Sequence, residues 1–454
     1  MKMVWNKLLL CQRYLSKDIK VPSVSKADAS RSLLQQDYDR IIFSSSFRRL
    51  GRKTQVHPLS ENDHIHTRLS HSLEVASIGR SLGIKTWIKL NNAGYFPEEI
   101  NANNLGLIIQ TACLAHDIGN PPFGHAGEDA IRAWFCEYNN NLQGLNKSEI
   151  LDLQNWEGNA QSLRILTQIE HHLFDGGMRL TYPVLATLIK YPWTSESKTE
   201  KNKYGSFQSE KEILANICNH LGMKKIPGRN YYWCRHPLAY LSEAADDICY
   251  HILDVEDALE MKIFNYNYII NEIFHYKSFF EKYYKDEKTQ LIGRMEDKSL
   301  SERRRMGVIR SCFLNQCVEA LVNVFVNKLE LILEGEICPS LIDDLPEDLK
   351  STFNTIDNEY KNKIFKERRK IEIEIGSYAV MDTLLTNFCS AAEEITNGNS
   401  NLSYKTKRIN ELTGNIITPD MTRYNAYMRV LDYISGMTDN YATFLAKQLN
   451  GFGA

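Results

Sequence analysis

The chain reads as an all-α protein with one small β-hairpin at most. Three observations carry that prediction. Apolar residues recur every three or four positions through long segments. Alternating apolar–polar runs are few and short. Glycines and prolines fall where the helical segments should stop.

In chain order, LSHSLEVASIGRSLGIKTWIKL predicts a long helix closed before Gly94. NLGLIIQTACLAHDI predicts a buried helix ended by Gly119, because Pro121 and Pro122 cannot continue it. AQSLRILTQIEHHL, AYLSEAADDICYHILDVEDALEMKI and VEALVNVFVNKLELILEG follow with the same period, and IFHYKSFFEKYYKDEK (273–288) reads as one amphipathic helix. KTQVHPL and MRLTYPVL are the two candidates for hairpin strands, and SESKTEKNKYGSF (195–207) reads as a polar, flexible loop. Beyond Ile263 the chain becomes poor in histidine and rich in Tyr, Phe and Lys. The expected division is therefore a catalytic core at 30–262 and a helical region at 263–454 packed on it.

Composition narrows the class. A formal net charge of -2 argues against a chain that binds nucleic acid over its whole surface. Ten cysteines without a CxxC pair point to free thiols in a reducing cytoplasm and exclude a thiolate-rich zinc site. The first residues lack the apolar stretch of a signal peptide, and no run of membrane-spanning length appears.

The chemistry concentrates in AHDIGNPPFGHAGE, 115–128. His116 and Asp117 fall in the last turn of a helix, where an imidazole and a carboxylate can converge on one divalent ion. Upstream, RLSHSLEV offers His71. Downstream, EAADDICYHILD offers Asp246 and Asp247. Asp246, Tyr250 and Asp254 are four residues apart and share a helix face, whereas Asp247 points about 100° away. After the Gly-Asn-Pro-Pro break, His125 and Glu128 stand one turn apart near the positive end of the next helix, a place suited to phosphate.

The order H…HD…D resembles the HD-domain metal phosphohydrolases. SFRRLGRKTQV, TRLSHSLEV, HDIGNPPFGHAGE, EGNAQSLRIL, KYPW, YLSEAADDICY and DYISGMTDNYA are similar to words of the bacterial dGTP triphosphohydrolase family, from about residue 30 to about 445. The resemblance implies a helical HD core and metal ligands at His71, His116, Asp117 and Asp246. The family's spacing of Asp, Tyr four on and Asp eight on selects Asp246 over Asp247. Two histidines and two carboxylates suit Mn²⁺ or Mg²⁺, with iron or another first-row ion also admissible.

The resemblance further implies that His125 acts in catalysis, oriented by Glu128, while phosphate is met by Arg68, Lys190 and Tyr191. Tyr250, Asp254 and Gln55 would face the deoxyribose. The implied reaction is hydrolysis of dGTP, or other dNTPs, to deoxynucleoside and inorganic triphosphate. One departure stands in EGNAQS: many relatives carry histidine where this chain has Gly158, which leaves Glu157 and Asn159 as open candidates.

Other features have plainer readings. HPLSENDHIH reads as an exposed loop, so His57, His64 and His66 are set aside; His171 and His172 close a helix; SERRRMG reads as a solvated helix start. Family members commonly form oligomers, so a homo-oligomer, with a hexamer favoured, is expected, with a nucleotide effector or single-stranded DNA as further candidate partners. Two rivals keep the helical fold: a hydrolase of deoxynucleoside monophosphates or of a signalling nucleotide, and a non-catalytic scaffold binding nucleotide or single-stranded DNA.

Overall fold

The computed structural model describes residues 2–14, 31–55, 62–138, 142–170, 177–197, 203–336, 339–364, 366–398 and 401–452. His57, His171 and His172, most of KTQVHPL and the middle of the 195–207 segment lie outside the described residues.

The architecture is all-α. The helices that matter for the site are α1 (Leu33–Ile42), α2 (Arg68–Asn91), α3 (Ala102–Ala115), α4 (His125–Glu137), α5 (Gly158–Arg164), α6 (Tyr182–Leu188), α7 (Pro237–Glu260), α8 (Glu302–Glu334), α9 (Arg368–Thr396), α10 (Arg423–Ser435) and α11 (Asp439–Leu449). No hairpin forms among the described residues. Only isolated bridges occur among the described residues, such as Thr54 with Thr67 and Arg13 with Thr181. The second half of MRLTYPVL, from Tyr182, opens α6 instead, because Pro183 in its first turn lacks the N–H a strand would need and is pre-set for helix. The 273–288 stretch also departs from a single helix. It holds a helix only from Tyr276 to Tyr283, and a second begins at Lys288.

Local signals set the ends of the key helices. Thr67 and Ser70 form a capping box at the start of α2, and Asn101 and Asn104 do the same for α3. Pro237 opens α7 behind a His236 cap. Ser301 caps α8, and Gly335, with φ of 75°, closes it. The α2–α3 pair packs backbone to backbone: a Cβ on Gly83 would stand 2.9 Å from the Gly106 Cα. This close packing brings His71, near the first turn of α2, beside His116, at the end of α3. Their ring centroids are 5.4 Å apart.

Two apolar cores form. The first joins Ile108 and Ile109 of α3 to Ile248 and Ile252 of α7 and to Leu321 and Phe325 of α8. Residues from both 30–262 and 263–454 contribute to this core. The second core packs Ile131 and Phe135 of α4 with Trp156, Phe207, Phe388 of α9 and Leu431 of α10. Tyr204 and Phe207 of the presumed flexible loop are completely buried there. No helix among the described residues is long and apolar enough to cross a membrane.

Candidate active site

Where the two cores meet lies a cavity of about 270 Å³. One end gathers His71, His116, Asp117 and Asp246. The ligand atoms of His71, His116 and Asp117 lie within 4.8 Å of one another. Asp246 Oδ1 stands 3.0 Å from His71 Nε2 and 3.4 Å from His116 Nε2. Asp247 turns away, toward Ser340 at 3.2 Å. The helix α3 ends at Ala115, three residues short of the Ile118 expected: His116 is its C-cap and Asp117 follows in the turn. That turn can be tight because Gly119 lies against α5, where a Cβ would meet the Gly158 carbonyl oxygen at 2.2 Å.

The donor set fits a hard or borderline divalent cation. His116 Nδ1 lies 2.6 Å from the Cys113 carbonyl oxygen, which can only accept, so this nitrogen carries the hydrogen and Nε2 is left facing the cluster. Ligand atoms 3.0–3.6 Å apart suit neighbouring positions around one ion with bonds of about 2.1 Å. Electrostatics agree. Burial works against the charge on His116, but Asp117 and Asp246 raise it to about 9. Burial likewise opposes ionisation of Asp117, but Arg68 and the two imidazoles hold it at about 2. Partial burial opposes ionisation of Asp246 too, but His116 and His71 hold it well below the usual carboxylate range.

Arg68, in the first turn of α2, donates through Nη1 to Asp117 Oδ2 at 2.6 Å and lines the cavity. Its Nε has no hydrogen-bond partner among the described residues although buried, and neither has Gln55 Oε1. Both residues line the cavity, with polar capacity to spare for a ligand. Lys190 Nζ sits 3.2 Å from Glu243, which also pairs with Arg235 at 2.6 Å. Burial disfavours the Lys190 ammonium, yet Glu243 more than offsets this and holds it charged above its ordinary range. Tyr191 lies beneath Arg235, 5.5 Å from ring centroid to guanidinium carbon.

His125 also lines the cavity and is largely exposed, with its Nδ1 3.4 Å from Glu128 Oε2. Glu128 is buried and accepts from the Gly158 N–H at 2.8 Å. The departure at Gly158 has a physical counterpart: a Cβ there would stand 2.6 Å from Asn120 Oδ1 and 2.8 Å from Glu128 Oε1. Glu157 caps α5 and binds Asn159 Nδ2 at 2.6 Å.

Tyr250 lines the cavity, its ring 5.2 Å from that of Tyr360. Asp254 does not line it. It is buried behind Tyr360, whose hydroxyl donates to it, and burial pushes its carboxyl up to about 8. Tyr360 opens a π-helical turn (Tyr360–Ile364). It and Lys370 were missed in the sequence, as was Lys203, which sat in a polar run that looked solvated. Asn120 was in plain view inside the GNPP break. Its Nδ2 donates to Asp117 Oδ1. His66, set aside as a loop residue, is instead clamped between Asp257, 2.7 Å from Nδ1, and Glu74, 3.3 Å from Nε2.

The last helices brace the site. Asp439 accepts from the Thr54 N–H at 2.9 Å and from the Phe123 N–H at 3.0 Å. Lys53 Nζ donates to the carbonyl oxygens of Asn120 and Ser435. Its burial lowers it to about 7.

Comparison with known proteins agrees with this geometry. Residues 68–262 match the HD domain. The chain is 42% identical, over 99% of both chains, to a Pseudomonas aeruginosa protein named deoxyguanosinetriphosphate triphosphohydrolase-like. A Synechocystis protein of the same name is 34% identical over 99% of both chains. A deoxyguanosinetriphosphate triphosphohydrolase of Klebsiella pneumoniae is 27% identical over 92% of this chain and 94% of its own. The histidines and aspartates drawn together by α2, α3 and α7 thus have their setting: this chain belongs to the deoxyguanosinetriphosphate triphosphohydrolase family of HD-domain proteins.

Proposed function

We propose that the protein is a divalent-cation-dependent hydrolase of deoxynucleoside triphosphates, with dGTP the first substrate to test, releasing deoxynucleoside and inorganic triphosphate. One observation carries the reading: His71, His116, Asp117 and Asp246 converge beside a cavity that is also lined by His125 on Glu128. A divalent cation at those four side chains, Mn²⁺ or Mg²⁺ by preference, supplies Lewis-acid activation of water and neutralises charge at the α-phosphate.

The chain's own groups do the rest. Water adds to the α-phosphorus and the bond to the deoxyribose 5′-oxygen breaks. His125 protonates that oxygen as it leaves, and Glu128 holds the imidazole through Nδ1 so that Nε2 faces the substrate. Arg68, Lys190 and Lys370 meet the phosphates, beside Tyr191. Tyr250 packs on the sugar and crowds a 2′-hydroxyl, Gln55 offers its free oxygen, and Asp254 acts on the 3′-hydroxyl through Tyr360. In this reading residues 30–262 provide the chemistry, and residues 263–454 close the cavity through Tyr360 and Lys370. A cytoplasmic homo-oligomer, hexameric by preference, belongs to the same reading and is measured by light scattering.

The test is incubation with each dNTP and rNTP plus Mn²⁺ or Mg²⁺, with products separated by anion exchange. The expected product is inorganic triphosphate from deoxy substrates. Orthophosphate alone, or turnover only of monophosphates, overturns the proposal.

A further inference from the structure

Glu128 and Glu157 are 2% and 0% exposed, and two cations reach both. Arg132 Nη2 lies 3.4 Å from Glu128 Oε2 and 3.2 Å from Glu157 Oε2. Lys203 Nζ lies 3.6 Å and 2.8 Å from the same two oxygens. Arg132 is a fixed part of the wall, since its Nε donates to the Trp156 carbonyl and its Nη1 to Asp129. Lys203 arrives from a different segment and lines the cavity. His125 takes its place on the same Glu128 oxygen.

Two buried like charges share a site only when each is balanced; otherwise one binds a proton. Arg132 balances one. The pair is already uneven. Burial opposes both charges, yet His125, Lys203 and Arg132 hold Glu128 at about 2, while burial and Glu128 keep Glu157 above its ordinary range. The facing groups are His125, Asp129 and Arg132 on α4, Glu157 with Asn159 and the Gly158 N–H on α5, and Lys203. Tyr191 and Tyr204 lie near Glu157, and Tyr378 of α9 lies near Asp129.

We infer that Lys203 is a positioning residue: by balancing the second carboxylate it keeps Glu128 ionised and in place beneath His125. This rests on the reading of His125 as the acid. Without the Lys203 charge the carboxylate pair takes up a proton at higher pH and shares it between Glu157 and the Glu128 oxygen that His125 uses, so Glu128 releases the imidazole and activity is lost earlier on acidification.

The test compares Lys203→Met, Lys203→Arg and the double variant Lys203→Met with Glu157→Gln, following kcat and KM against pH. Lys203→Met is expected to lower kcat by about 10- to 100-fold, inside the roughly 10²–10⁴ that general acid catalysis supplies. Its acid limb moves to higher pH while KM changes little. Lys203→Arg restores the profile, and so does removal of the second carboxylate. A rise in KM with an unmoved profile makes Lys203 a phosphate contact and overturns the inference, as does a profile superimposable on the parent's. Carboxyl titration of ¹³C-glutamate-labelled protein reads the pair without turnover, with an upward shift expected in Lys203→Met and an unchanged titration overturning the inference. If the parent itself makes no triphosphate, the proposed function falls, and this titration still decides Lys203.

Discussion

At one end of the cavity Glu128 and Glu157 are buried beside Arg132 and Lys203, two carboxylates with two permanent cations. At the other end Asp117 has one such partner, Arg68, and Asp246 forms ion pairs only with two imidazoles among the described residues. The ends hold the same number of carboxylates but differ in burial, Glu128 and Glu157 being 2% and 0% exposed against 30% for the Asp246 side chain, and they differ in where the countercharge comes from. A buried charge must be compensated. The first end does this with its own chain. The second leaves a deficit shaped by four ligand atoms, and a deficit of that shape is filled from solution.

Replacing a ligand should have the largest effect. Asp246→Ala is expected to abolish cation binding and to cost more turnover than the roughly 10–100-fold of an outer-shell change. Calorimetric Mn²⁺ titration measures the first and triphosphate release the second; full cation occupancy in the variant would erase the contrast. Next, His125→Ala should leave the cation in place and lower kcat by roughly 10²–10⁴. Loss of Mn²⁺ binding in that variant would mean the two ends are not independent. Lys190→Met should act on binding more than on rate, raising KM by about 10-fold or more, as expected when a charged hydrogen bond of about 1.5–3 kcal/mol is lost.

The smallest effect concerns a third carboxylate pair, Glu74 and Asp257, whose cation is titratable. Burial opposes charge on His66, but the two carboxylates raise it from 6.5 to about 10. A raised folded-state value means the stabilisation is complete below pH 6.5 and fades as pH climbs through about 10. His66→Gln is therefore expected to destabilise by about 1–2 kcal/mol at mildly acidic pH, allowing for solvent screening, and by much less near pH 10. Denaturant midpoints at the two pH values check it. A loss independent of pH would remove His66 from the comparison.

Much of this was readable in the chain. Helical period and capping residues marked α2, α3 and α7, and counting in fours from Asp246 to Asp254 put one carboxylate on the face of Tyr250. Those signals are local, imposed by backbone geometry within a turn or two. Lys203, Tyr360, Lys370 and His66 carry no such signal. Their roles come from packing between segments far apart in sequence, and a lysine in a polar run reads the same whether solvated or salt-bridged. MRLTYPVL misled because alternation over so few residues was outweighed by one proline. Asp254 shows the limit of a correct periodicity: its direction along α7 was legible, but the tyrosine covering it was 106 residues away.

Asp439 and the Ser435 carbonyl oxygen hold Thr54, Phe123 and Lys53 from up to 385 positions along the chain. During synthesis, therefore, the His-Asp cluster can gather before its supporting wall exists. A nascent chain shorter than about residue 440 would hold its ligands without a finished pocket. Competence waits on α10 and α11, so disrupting them is expected to silence chemistry whose residues they never touch.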